Sequence, residues 1–291
     1  MHSQTPLYFI HMTDTHVKAP GAKPFLNLDT SGKLRAVFAA VRALSIQPAF
    51  FVISGDLTHE GDTEDYRHLR AVVDEEAAAF GVPVFVSLGN HDHRGPFREG
   101  YLGEGATENA YYYAEMIDGL RLIVLDSEIS DEGEKVEGRL DAAQLAWLRT
   151  QLEIPAPRGT ILVVHHPPLR NTLRLLDSHI LTNPADLADA IRGRDVIGIL
   201  SGHIHFNSIG SFEGIPSIAC AGVAFNLDPT TSKSMRFIDS SGYNLVMVAD
   251  GRMIVQPTLL PGAQTEAYHW HLGDSLAQAA GEDNAIPEAL S

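Results

Sequence analysis

The chain has a single cysteine, Cys220, among its 291 residues. That excludes an internal disulfide framework and a thiolate cluster around a structural zinc, and it suits a reducing compartment. Nowhere do about 18 apolar residues follow one another, so no membrane-crossing helix is expected. The first residues, MHSQTPLYFIHMTD, lack both a basic n-region and an apolar stretch long enough for a secretory signal, and a cytoplasmic location is the expectation. Positive charge is also scarce: 21 Lys and Arg face 37 Asp and Glu, a formal net charge of -16. Non-specific binding to nucleic acid and to an anionic membrane surface both need a basic footprint, so neither is expected. A small anionic substrate needs only a locally positive site. There is no internal repeat, no low-complexity tract and no G-x-S-x-G nucleophile motif.

What the chain does have is apolar runs of strand length. They fall at 7–12, 50–53, 82–88, 122–125, 161–164 and 196–200, mostly without polar alternation. Such runs suit strands covered on both faces. Helical patterns lie between several of them: Leu34, Val37, Phe38, Val41 and Leu44 share one helix face. Asp141 with Gln144 offers a capping box, and Asn183-Pro184 an N-cap and N1 pair. PSIACAG, YNLVMVAD and RMIVQPTLL come close together with turn residues between them and suggest antiparallel strands. The fold class is therefore α/β with layered sheets, as one domain over 1–261. The acidic, Ala/Gly-rich stretch 262–291 is expected to be a surface tail, free to be mobile. The charged run EISDEGEKVEG (128–138) is expected to be a solvated loop.

The runs end in an unusual way. They close on Asp14-Thr15-His16, Gly55-Asp56, Gly89-Asn90-His91-Asp92, His165-His166 and Gly202-His203-Ile204-His205. In α/β sheets ligands bind in the crevice outside the carboxyl ends of the strands, so these five clusters can converge. Imidazole and carboxylate donors without thiolates suit Mn, Fe, Co or Zn. Any one Asp-x-His or His-x-His is weak; five in order, each closing a hydrophobic run, point to a metal site.

This set resembles the signature of the calcineurin-like metallophosphoesterase superfamily over residues from about 7 to 260. HHPPL (165–169) and LDSHILTN (176–183) are similar to stretches of its bacterial branch of cyclic-nucleotide phosphodiesterases and glycerophosphodiesterases. The resemblance implies a four-layer sandwich, two mixed β-sheets flanked by helices. It also implies two divalent or mixed-valence metal ions and in-line attack of metal-activated water on a phosphodiester. Asp14, His16, Asp56 and His205 would hold the first ion. Asp56, Asn90, His165 and His203 would hold the second, with Asp56 bridging. His91 would be the catalytic residue beside the phosphate and the departing oxygen, and Asn90, His91, His59 and His179 are candidates for substrate contact.

The asparagine at position 90 follows from counting charge. Two divalent ions with Asp14 and Asp56 leave a net charge near +2, which hydroxide and a monoanionic diester bring to about zero; a carboxylate at 90 would overshoot. The substrate implied is a 3',5'-cyclic nucleotide or similar small phosphodiester, with a glycerophosphodiester or a broad range of diesters as the alternative. An interaction scaffold without catalysis is the other class, and it should have lost ligands that this chain keeps. Ser/Thr protein phosphatases carry an arginine shortly after the bridging aspartate, whereas GDLTHEG here has none. No nucleic-acid strand is expected as a partner, and a homo-oligomer is compatible with the sequence without being required by it.

The remaining polar residues are read conservatively. His166 follows a ligand directly, so its side chain is expected to point elsewhere. His93 is expected in a loop, Asp92 to orient its neighbours, and the HWH at 269–271 at the surface. NAYYYAEM (109–116) is expected to serve core and rim packing. The segments 18–28 and 222–229 are candidate specificity loops, with Phe225 and Asn226 in the second.

Overall fold

Runs that are apolar on consecutive residues become strands buried on both faces. A computed structural model describes residues 5–129, 136–231, 234–262 and 264–271. In chain order its strands and helices begin with β1 (Leu7–Met12), α1 (Thr30–Arg42), β2 (Phe51–Ser54), α2 (Thr63–Ala78), β3 (Val84–Ser87), α3 (Arg94–Phe97), β4 (Tyr113–Ile117) and β5 (Leu120–Val124). Then come α4 (Ala142–Gln151), β6 (Thr160–Val163), α5 (Pro184–Ile191), β7 (Val196–Ser201), β8 (Ser208–Phe212) and β9 (Ile215–Ala219). The last are β10 (Asn226–Leu227), β11 (Ser234–Asp239), β12 (Gly242–Ala249), β13 (Arg252–Leu259) and β14 (Thr265–His271).

One mixed sheet has the order β13-β12-β1-β2-β3, with β1, β2 and β3 parallel. A second has the order β4-β5-β6-β7-β9-β8, parallel from β5 to β9 with antiparallel edges. Alternation along β1 explains the layering. Leu7 and Phe9 pack against Leu122, Val163 and Leu200 of the other sheet, while Ile10 and Met12 pack against Leu34, Phe38 and Leu69 of α1 and α2. On the far side Ile123 and Leu162 meet Leu145, Leu148 and Leu187 of α4 and α5. The result is helix, sheet, sheet and helix. Parallel β1, β2 and β3 end at one edge, and parallel β5, β6 and β7 bring the second set of strand ends.

Several expectations need correction. PSIACAG forms β9, which runs parallel to β7 and antiparallel only to β8, because the β8–β9 hairpin folds back on the sheet edge. Tyr111, Tyr113 and Ala114 do pack against the cores as expected, and Tyr113–Ile117 forms edge strand β4. Asp141 caps α4 through Gln144 N at 2.7 Å, but the Gln144 side chain turns away to bond both backbone groups of Asp126, so the capping box is half made. Asn183 and Pro184 stand at the N-cap and N1 of α5 as expected, though the Asn183 side chain bonds Leu140 and Asp186 rather than a helix N–H. The stretch after 261 does not start as a tail: Thr265–His271 forms β14, which pairs antiparallel with β11 in a third, three-stranded sheet β10-β11-β14. His269 and His271 lie on that strand, and residues 272–291 fall outside the described residues.

Candidate metal centre

At the ends of β1, β2 and β7 the backbone enters the left-handed region. Asp14 (φ 52), His16 (φ 41), Asp56 (φ 48), His203 (φ 71) and His205 (φ 53) all adopt it. Such residues are uncommon and cost of order 1 kcal/mol or more each, so five around one point mark a place where side-chain direction outweighs backbone comfort. The sheet's parallel bonding continues into these turns, from Asp14 N to Gly55 O and from His16 N to Asp56 O.

Asp14, His16, Asp56 and His205, all buried, bring one ligand atom each within 4.8 Å of one another and could hold a metal ion. His16 Nε2 lies 3.3 Å from His205 Nε2 and 3.6 Å from Asp56 Oδ2, and His205 Nε2 lies 3.3 Å from Asp14 Oδ1. Spacings of this size suit donors that would each reach one shared ion at roughly 2.0–2.2 Å. His205 donates Nδ1–H to Phe225 O, which leaves its Nε2 with a lone pair toward the others.

The second group begins at the other oxygen of Asp56. Its Oδ1 accepts from His91 N and lies 3.3 Å from His165 Nε2. His165 donates Nδ1–H to Ser54 O at 2.7 Å, and His203 donates Nε2–H to Val136 O at 2.8 Å. Asn90 Oδ1 and His165 Nε2 are buried and have no hydrogen-bond partner. Unsatisfied buried polar atoms are costly, and an amide oxygen and an imidazole nitrogen left so, the latter 3.3 Å from Asp56 Oδ1, fit a bound cation. His166 also belongs here: its ligand atom lies within 4.8 Å of those of His165 and His203, and its Nδ1 is 2.8 Å from Ser127 Oγ. The expectation that it points elsewhere fails because β6 ends at Val163, so strand alternation no longer separates the two adjacent rings.

Burial sets the electrostatics. It pushes His16, His203 and His166 well below the ordinary imidazole range, which keeps them neutral donors of lone pairs. Burial raises the Asp14 carboxyl. Asp56 goes the other way: against burial, the neighbouring His165 and His91 hold it well below the usual carboxylate range. Reciprocally, and again against burial, Asp56 lifts His165 to about 9. A proton on His165 is the charge a bound cation would replace.

The profile of calcineurin-like phosphoesterases matches residues 7–207. The chain belongs to the calcineurin-like phosphoesterase family. It is 36% identical over 249 residues to a probable cyclic nucleotide phosphodiesterase of Rhodococcus erythropolis, covering 85% of this chain and 81% of that one. To a cAMP/cGMP dual specificity phosphodiesterase of Mycobacterium tuberculosis it is 32% identical over 266 residues, covering 91% and 83%. Among solved structures, a dimetal phosphatase from Danio rerio shares the fold at a TM-score of 0.56 and 15% identity, covering 86% of this chain and 98% of that one.

Around the candidate centre of this family member lies a narrow cavity. Its floor holds His16, Asp56, Asn90, His91, His203 and His205, and His179 stands at its side, stacked on His203 at 5.1 Å. The roof is apolar: Phe25, Leu176, Phe225, Leu227, Met235 and Phe237. Thus 18–28 and 222–229 both reach the site, through Phe25 and Phe225. Phe225 lies flat on His205 at 3.9 Å, and the Asn226 amide is bonded to Ser240 instead. Leu227, Met235 and Phe237 come from the third sheet, whose strand pairing the sequence reading missed.

His59 does not line this cavity; it stands behind His16, its Nδ1 3.2 Å from His16 Nδ1. His93 is exposed. Asp92 is buried and accepts from Leu57 N, Gly89 N and Tyr66 Oη, so it ties the β2 and β3 turns together. Among the described residues no Lys or Arg lines the cavity. Arg94 is bound to Asp126 and Glu128, and Arg170 lines a different cavity. The run 128–138 is not simply solvated: Glu128 pairs with Arg94, and Val136 O accepts from His203. Residues 130–135 lie outside the described residues.

Proposed function

We propose that the chain is a dinuclear-metal phosphodiesterase acting on a small monoanionic diester, with a 3',5'-cyclic nucleotide as the substrate class. The observation that carries this is the placement of Asp56, with Oδ2 toward His16 and Oδ1 toward His165, between two groups of buried donors. Asp14, His16, Asp56 and His205 would hold one ion; Asp56, Asn90, His165 and His203 would hold the other. The oxygen and nitrogen donors, without sulfur, suit Mn, Fe, Co or Zn. When bound, two such ions polarise the phosphoryl group and lower the pKa of water.

The chain's own residues do the rest. Asn90 supplies an oxygen without charge, so the loaded centre keeps the net positive charge that draws a monoanion. His91 donates Nδ1–H to His59 O at 2.9 Å, which fixes its tautomer and leaves Nε2 to serve the departing oxygen. The apolar roof suits a planar, largely apolar group such as a nucleobase, and the relatives named as cyclic nucleotide phosphodiesterases support that choice. A cytoplasmic site of action rests on the single, buried Cys220.

The test is a side-by-side assay of cyclic AMP, cyclic GMP, glycerophosphocholine and bis(p-nitrophenyl) phosphate. Activity should vanish on chelation and return with Mn²⁺, Co²⁺ or Zn²⁺. Hydrolysis of glycerophosphocholine with no turnover of either cyclic nucleotide would overturn the substrate class. Full activity in metal-free protein would overturn the mechanism.

A further inference from the structure

Each of the four imidazoles proposed as ligands has one ring nitrogen tied to a neighbour. For three of them the neighbour is a backbone carbonyl: Ser54 O for His165, Val136 O for His203 and Phe225 O for His205. A carbonyl only accepts, so the nitrogen facing it carries a proton, and the other nitrogen is the one left to face a cation. His16 is different. Its Nε2 faces His205 Nε2 and Asp56 Oδ2, while its Nδ1 faces another side chain, His59 Nδ1, at 3.2 Å. Two imidazole nitrogens that close can share only one proton. With Nε2 directed at the centre, that proton belongs on His16 Nδ1, and His59 Nδ1 must accept it.

We propose that His59 is a positioning residue that fixes the tautomer and ring orientation of His16 toward a divalent cation. His59 suits this task because its own ring is clamped. It lies against Phe25, tilted by 34° with centroids 3.9 Å apart, and stacks on His91 at 5.0 Å and 21°. Its backbone oxygen meanwhile accepts from His91 Nδ1. One residue therefore orients a proposed ligand through its side chain and the proposed proton donor through its main chain. Substitution at 59 touches only the first of these bonds. The partner of a ligating histidine typically governs metal affinity by about 10–100-fold. The inference rests on the metal-centre reading above.

The experiment titrates metal-free protein with Zn²⁺ against a chromogenic chelator. His59→Phe keeps an aromatic ring for Phe25 and His91 but removes the acceptor. His59→Gln offers an amide oxygen in its place. One of two zinc affinities should fall about 10–100-fold in the Phe variant and recover largely in the Gln variant. In the unmutated, zinc-loaded protein, ¹⁵N–¹H correlation of the histidine rings should find His16 protonated at Nδ1, a readout independent of whether either variant folds. Two zinc ions bound equally tightly by His59→Phe would overturn the inference alone, and so would protonation of His16 at Nε2. Since His16, His59 and His91 could themselves group around an ion, a third zinc lost on His59→Phe would make His59 a ligand and also overturn it. An unmutated protein that binds no zinc would overturn the metal-centre reading together with this inference.

Discussion

Replacing Gly89 by alanine adds one methyl group where the centre has no room for it. Gly89 has φ outside the left-handed region, so alanine brings no backbone strain of that kind. A Cβ there would stand 2.5 Å from Asp56 N and 2.7 Å from His165 Nε2, and closer still to Asp56 Oδ1. Ordinary contact begins near 3.4 Å. One of these neighbours is backbone in a left-handed turn and cannot swing aside, so Asp56 or the 89–92 turn must shift by just under about 1 Å. A misplacement of that size costs roughly 10²-fold in rate, equivalent to about 2.7 kcal/mol of barrier. The assay is kcat/KM for bis(p-nitrophenyl) phosphate under saturating Mn²⁺, with metal content measured after dialysis. Gly105→Ala is the control, since nothing lies within 4 Å of its Cβ and it should behave as unmutated. A Gly89→Ala protein that keeps full metal content and activity would refute the close approach of the β2 and β3 turns.

His91→Ala should bind metal as the unmutated protein does yet lose about 10²–10⁴-fold in kcat, with a smaller loss for substrates with good leaving groups; equal losses would remove the proton-donor role. Because no Lys or Arg among the described residues lines the cavity, kcat/KM for bis(p-nitrophenyl) phosphate should exceed that for p-nitrophenyl phosphate by at least about tenfold, and Asn90→Asp should slow the diester if metal still binds. Arg94→Met leaves the buried Asp126 carboxylate without its ion partner, bonded at 2.8 and 3.1 Å, and should cost about 3 kcal/mol in urea unfolding. Burial, resisted by Arg94 and reinforced by Asp126, lifts the Glu128 carboxyl from 4.5 to about 8. The folded protein therefore holds this proton more tightly than the unfolded chain. Its stabilisation is complete below pH 4.5 and lost as pH rises through 8, and Glu128→Gln should flatten that part of the stability profile.

The clusters of residues able to bind metal, and their order, were legible in the sequence because they depend on local facts. A buried strand must stop, and what stops these is a polar cluster able to bind metal, led by glycine at Gly55, Gly89 and Gly202. The two-sided apolar runs likewise announced strands covered on both faces, since each residue of such a run needs an apolar neighbour wherever it points. Weaker local signals were misread. Gln144 looks like the closing residue of a capping box in sequence, yet it spends its amide on the distant backbone of Asp126. Strand β14 is polar and follows a turn-rich stretch, and only its pairing with β11 makes it a strand.

The tertiary structure alone decided what depends on distant segments meeting. The register of β1, β2 and β3 places Asp56 between two sets of histidines with one oxygen for each. Left-handed turns at Asp14, His16, Asp56, His203 and His205 aim those side chains inward, a conformation that Asp and His tolerate better than most side chains but that the surrounding fold must hold. The same convergence puts His59 behind His16 although 43 residues separate them, draws His166 toward His203, and sets the third sheet over the site as an apolar roof. Sequence fixes which groups are present at each strand end; which nitrogen faces the centre is set by the carbonyl or ring that holds the other one, and those partners come from elsewhere in the chain.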